Sequence, residues 1–98
     1  MLFLAEFGPH ADKPDVRQQN LQPHLDYLRE NKASILLSAT KRGDQEGDVL
    51  GFVWLLKADS PEEAERLCHG DPFWTAGLRT TFQLSHLTKA IPELIAEV

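Results

Sequence analysis

The apolar positions of this chain fall into short runs whose period switches between two and about 3.6 residues. From Leu2 to Gly8 both alternating sets are apolar, Leu2 and Leu4 pointing one way and Phe3, Ala5 and Phe7 the other, which predicts a central strand. Gly8-Pro9 ends that run, and His10 to Pro14 reads as a polar loop in which Asp12 is placed to cap a helix. From Asp15 to Asn31 the leucines at 21, 25 and 28 define one face of an amphipathic helix, and Arg17 and His24 fall along the same row. Pro23 lies inside this segment and predicts a kink or a restart, because it lacks an amide donor and crowds the carbonyl four residues earlier.

The strand period returns from Ala33 to Thr40 and, after the polar hairpin loop Lys41 to Asp48, from Val49 to Ala58. The latter run carries Val49, Val53 and Leu55 on one side and Leu50, Phe52, Trp54 and Leu56 on the other, and Trp54 is expected at an interface. Ser60-Pro61-Glu62-Glu63 starts a second helix, with Ser60 as N-cap, Pro61 in the first turn and Glu63 completing a capping box, so that Ala64, Leu67 and Cys68 face the core. That helix is expected to close on a left-handed Gly70, after which Pro72 holds Asp71 extended. Leu78 to Leu87 alternates as a fourth strand, and Ile91 to Val98 predicts a short terminal helix built on Ile91, Leu94, Ile95 and Val98.

The order is β-α-β-β-α-β, the split βαβ arrangement of an α+β, ferredoxin-like domain with a four-stranded antiparallel sheet, here spanning residues 1–98 as a single unit. Two helices cover only one face of such a sheet. The first and third strands are nevertheless apolar on both faces, so a homodimer that packs sheet against sheet is expected.

Composition narrows the function classes. The formal charge is −5, and Lys41-Arg42 is the one basic pair of note, which argues against nucleic acid and against an anionic membrane surface as partners. Cys68 is the single cysteine and has no partner for an internal disulfide; Glu6 interrupts the N-terminal apolar run too early for a signal core or a spanning helix. A cytoplasmic location is the resulting expectation. The cluster Cys68-His69-Gly70-Asp71 lacks a second set of ligands at zinc-site spacing, so no metal is expected, and His69 complements the negative end of the second helix instead. The glycines of the 43–51 region belong to a hairpin rather than to a phosphate cradle, and no cofactor is expected.

Taken alone, Asp71 beside Phe73 and Trp74 is either a structural turn or the anionic half of a small polar site, and His24 is either a structural histidine satisfied by a neighbouring backbone carbonyl or carboxylate or a titratable group near the sheet. Arg17 stands two helical turns before His24, where its forked donors suit a carboxylate or phenolate, or where it is simply solvated. Phe73 and Trp74 read as a pocket wall or as core, and Ser38 reaches the same region from the second strand if alternation turns it inward.

Arg17, His24-Leu25, Gly47 and Gly51, the run Ala58-Asp59-Ser60-Pro61-Glu62-Glu63-Ala64, and Asp71-Pro72-Phe73 with Ala76-Gly77-Leu78 together resemble the YciI-like family of the dimeric α/β barrel superfamily. The resemblance covers nearly the whole chain. It implies a ferredoxin-like protomer that dimerises through its sheet, and a pocket where His24 approaches Asp71 as an acid/base dyad acting on a small metabolite without a cofactor. Arg17, Phe73, Trp74 and Ser38 are then the candidate substrate contacts, and elimination or isomerisation following proton transfer is the implied chemistry. The alternatives are a non-catalytic ligand-binding or accessory module and a structural dimerisation domain. The chain departs from the family pattern at Leu21, where a second arginine is usual, at Ala39-Thr40 in place of Gly-Pro, and at His86-Leu87, where a proline and a bulky aromatic are usual.

Overall fold

The computed structural model describes residues 1–44 and 47–94. Strands β1 (Leu2–Phe7), β2 (Ile35–Arg42), β3 (Val49–Lys57) and β4 (Phe82–Leu87) alternate with helices α1 (Pro14–Glu30), α2 (Pro61–His69) and the single turn α3 (Pro72–Thr75). The sheet order is β2-β3-β1-β4 and each neighbouring pair is antiparallel. This is the α+β, ferredoxin-like arrangement, with β1 and β3 at the centre.

Burial along β1 alternates strictly, with Phe3, Ala5 and Phe7 under the helices. They join Trp54 and Leu56 of β3, Ile35 of β2 and Ala64 and Cys68 of α2 in one core. Trp54 is fully buried on this face, so the interface expected of it is not where it lies; its indole fills the layer between sheet and helices. On the opposite face the register aligns Leu37 with Leu55, Leu55 with Leu4, and Leu2 with Leu87, and these leucines stay half-buried.

The helices follow their local signals with instructive exceptions. Ser60 caps α2 by accepting from the Glu63 amide at 3.1 Å, while the Glu63 carboxylate reaches back to the Asp59 amide at 3.0 Å rather than to the Ser60 amide of a standard capping box. Helix α1 begins after Lys13, not Asp12, with no side-chain cap, and it runs through Pro23 without a restart. Pro23 sits on the solvent side, where water can take up the carbonyl it frees, and the packing of the other face carries the helix. Gly70 closes α2 in the right-handed region (φ −83°, ψ −11°) rather than the left-handed one. What glycine supplies there is space: a Cβ would stand 2.6 Å from the Tyr27 hydroxyl, which donates to the Leu67 carbonyl at 2.6 Å and docks α1 on α2.

Strand β4 starts at Phe82, four residues later than the alternation predicts. The residues before it belong to the exit from α3, where Gly77 takes the left-handed conformation (φ 78°) and the Phe73 carbonyl accepts from both the Leu78 and Arg79 amides at 3.0 Å. Those amides are unavailable to a sheet ladder. Of the expected terminal helix, residues 95–98 lie outside the described residues, and Ile91 and Leu94 are exposed.

Candidate active site

The D-P-F turn sets the geometry. Pro72 opens α3, Asp71 is its extended N-cap (φ −63°, ψ 130°), and one carboxylate oxygen accepts from the Phe73 amide at 3.1 Å. The same oxygen, Oδ1, takes a 2.7 Å hydrogen bond from Nδ1 of His24, the one buried residue of α1. Asp71 is fully buried and His24 nearly so, and the imidazole lies flat on the Phe73 ring at 3.9 Å and 8°. Because an ionised carboxylate only accepts, Nδ1 carries the proton in this bond, and Nε2 is left as the ring nitrogen on the side away from Asp71.

His24 forms part of the wall of a cavity of about 280 Å³ between α1 and the β2-β3 end of the sheet. Arg17, Leu21, Leu25 and Leu28 continue the α1 wall, Ser38 to Thr40 line it from β2, and Phe52, Phe73, His10 and Arg79 complete it. The structure therefore brings together five of the six residues singled out from the sequence: Asp71 directly behind His24, and Arg17, Ser38, His24 and Phe73 around the cavity. Arg17 stands exposed at its rim. Trp74 is placed elsewhere. It stacks on His69 at 4.3 Å and meets Phe82 and Phe7, on the far side of α3 from the cavity.

Two residues escaped the sequence reading. Arg79 is 3% exposed, and its guanidinium lies over Phe7 at 4.3 Å and within 5.7 Å of the Phe52, Trp54 and Phe73 ring centres. Its Nε stands 3.7 Å from Asp71 Oδ2, a charge contact too long for a hydrogen bond, and neither atom has a hydrogen-bond partner. Burial pushes the guanidinium below its ordinary value and Asp71 opposes that shift, but an arginine stays charged. His10 stacks on Phe52 at 4.2 Å with its edge toward Phe73. Burial pushes its imidazole down to about 4, the Arg79, Arg17 and His24 charges acting the same way and Asp71 against them.

The remaining nucleophile and metal candidates do not converge. Cys68 is wholly buried and burial pushes its thiol up to about 12. No group of three or more His, Cys, Asp or Glu among the described residues is placed to hold a metal ion. No helix among them is long and apolar enough to cross a membrane.

A ferredoxin-like α+β chain with a buried His/Asp pair beside a small cavity defines the class. More narrowly, the chain belongs to the YciI-like family: the YCII-related domain matches residues 1–87. Among solved structures it is similar to 5-chloro-2-hydroxyhydroquinone dehydrochlorinase from Burkholderia phenoliruptrix AC1100, in complex with 2,5-dihydroxybenzoquinone, at 29% identity and a TM-score of 0.74 over 90% of this chain and 94% of that one. A search of curated proteins by sequence gives no match.

Proposed function

We propose that the protein is a small-metabolite enzyme in which His24 is the general acid/base and Asp71 orients it. The observation that carries the reading is the 2.7 Å bond from His24 Nδ1 to a fully buried carboxylate, in the wall of a cavity, which supports the tautomer that leaves Nε2 available to exchange a proton with a substrate. Nε2 takes a proton from an activated hydroxyl or carbon of the substrate. The electron pair released then expels a leaving group, as in elimination, or the proton is returned at another atom, as in isomerisation. Neither course consumes an oxidant or a reductant. Arg17 and Ser38 contact polar groups of the substrate, and Phe73 holds the imidazole plane against which it rests. The likeness to a dehydrochlorinase supports a substrate from which a proton and a leaving group are removed.

The working form is a homodimer. The half-buried leucines Leu2, Leu4, Leu37 and Leu55, with Val53 beside Leu55 on β3, form the apolar centre of the sheet face that no helix among the described residues covers, and a second copy packed there removes them from water.

The test is turnover of 5-chloro-2-hydroxyhydroquinone and of related small acids bearing a leaving group, followed by chloride or proton release. His24→Ala is expected to lower the rate by about 10²–10⁴-fold, the usual contribution of positioned proton transfer. Equal rates for the two proteins on every substrate turned over would refute the assignment. Ligand binding with no turnover across the screen would favour the non-catalytic module.

A further inference from the structure

The chain is acidic, with a formal charge of −5, yet the lining of its cavity holds two arginines and no carboxylate. The nearest acid, Asp71, sits behind His24 and is already engaged by the His24 ring and the Phe73 amide. Arg79 is therefore a buried cation whose compensation is incomplete. Aromatic faces surround it, but Nε and Nη1 are buried without a hydrogen-bond partner. A buried guanidinium with idle donors is costly to maintain, and an oxyanion that accepts from it offsets that cost.

A second buried donor adjoins it. His10 Nε2 also lacks a partner, and the ring that carries it is fixed between Phe52 and Phe73, the same two rings that flank the Arg79 guanidinium. The backbone explains the pairing. The Ala11 amide donates to the Leu78 carbonyl at 2.9 Å, tying the β1-α1 loop to the α3-β4 loop, and His10 and Arg79 are the residues immediately beside that bond. Two loops far apart in the chain are thus locked in the register that presents one imidazole and one guanidinium to a common space.

We infer that this inner wall of the cavity is an anion seat, in which Arg79 and His10 together hold one oxyanion of a small organic acid, a carboxylate or an enolate-type oxygen. The inference rests on reading the cavity as a substrate site and names the substrate's chemical class. The seat lies on the sheet side of the dyad, so a ligand anchored there extends past His24 toward Arg17 at the rim. With His10 held neutral at physiological pH, its N–H donates to the anion without adding a second buried charge. The volume, near the lower end of the roughly 300–1,000 Å³ of ligand pockets, suits a single ring or a short chain.

Benzoate and its neutral isostere benzamide are suitable probes, titrated calorimetrically into the wild type, Arg79→Met, His10→Phe and His24→Ala. Wild type is expected to prefer benzoate by tenfold or more. Arg79→Met should abolish the preference, His10→Phe should reduce it several-fold, and His24→Ala should retain it although the proposed turnover is lost. In the wild type, where folding is not in question, benzoate should shift the ¹H–¹⁵N resonance of the Arg79 Nε–H far more than those of Arg29 and Arg66, which lie outside the cavity lining. Equal affinity for the two probes, or an Arg79 resonance that moves no more than those references, overturns the seat. A seat that binds as described while His24→Ala leaves turnover intact would instead overturn the catalytic role of His24, so the two failures are distinguishable.

Discussion

Asp71→Asn isolates what the buried carboxylate contributes. The substitution preserves shape, one acceptor oxygen and the capping ability of the side chain, since asparagine caps a helix as well as aspartate does. It removes the charge that faces Arg79 across 3.7 Å at a site where the two side chains are 0% and 2% exposed. Taking one partner from a buried ion pair leaves the other uncompensated and typically costs about 3–5 kcal/mol, against a total stability of roughly 5–15 kcal/mol for a domain. Arg79→Met in the Asp71→Asn background removes the stranded charge and replaces it with a flexible thioether, which suits a site walled by Phe7, Phe52, Trp54 and Phe73. The double variant should therefore be more stable than Asp71→Asn alone, by about 2 kcal/mol or more. Urea unfolding followed by tryptophan fluorescence, at one protein concentration so that any association is held constant, measures both quantities from midpoints and slopes. If Asp71→Asn alone is unfolded in water, a folded double variant is the same result in coarser form. A cost below about 1 kcal/mol for Asp71→Asn, or a double variant that loses the sum of its two singles, would show that the pair is not the energetic unit described.

Acid should destabilise the protein through His10. Its folded imidazole resists protonation down to about 4 whereas the unfolded one protonates near 6.5, so the unfolded state binds more protons in that window and stability falls as pH drops through it. At about 1.36 kcal/mol per unit the ceiling is about 3 kcal/mol, which solvent screening of a half-buried ring reduces to about 1 kcal/mol; His10→Phe should flatten that part of the urea-midpoint profile, and an unchanged slope would refute it. Leu55→Lys, placed where Leu37 and Leu4 flank it on the uncovered sheet face, should convert a dimer to a monomer by light scattering; a wild type monomeric at micromolar concentration would rule the sheet dimer out. Cys68, with a thiol pushed from 9.0 to about 12, should react with an aromatic disulfide reagent about 10³-fold more slowly in the native protein than in urea, and comparable rates would show that the helix α2 core opens readily.

The fold was legible because each element carries its own periodicity and its own stop signal. Phe3, Ala5 and Phe7 alternate with Leu2 and Leu4 over a run too short for a helix, and Ser60-Pro61 with Glu63 marks a helix start in which the Ser60 hydroxyl caps the Glu63 amide. The departures occur where a local preference met a stronger tertiary one. Pro23 did not divide α1, because its neighbour His24 and the Tyr27 hydroxyl tie the following turn to α3 and α2. Gly70 was read as a left-handed cap, whereas its size, not its dihedral freedom, is what the Tyr27 hydroxyl demands. Neither constraint is visible within a short window of the chain.

The site was legible in proportion to how far its geometry is local. Asp71 could be singled out because Pro72 and the following amide fix its backbone within three residues; its partner His24, 47 residues earlier, came only through family likeness. The sequence leaves Phe73 and Trp74 together as pocket wall or as core, but successive residues in a helical turn point about 100° apart. The Asp71 cap on the Phe73 amide commits Phe73 to the dyad and thereby turns Trp74 toward His69. Arg79 was hidden by its own neighbours, since L-R-T-T-F-Q-L alternates like a strand. The signal against that reading was Gly77: a glycine just past a helical turn opens a left-handed exit, and the residues after it fold back on the turn's carbonyls before any strand can begin. That exit carries Arg79 beneath Asp71 instead of into the sheet, so the glycine of A-G-L helps set the geometry of the candidate site although it does not line the cavity.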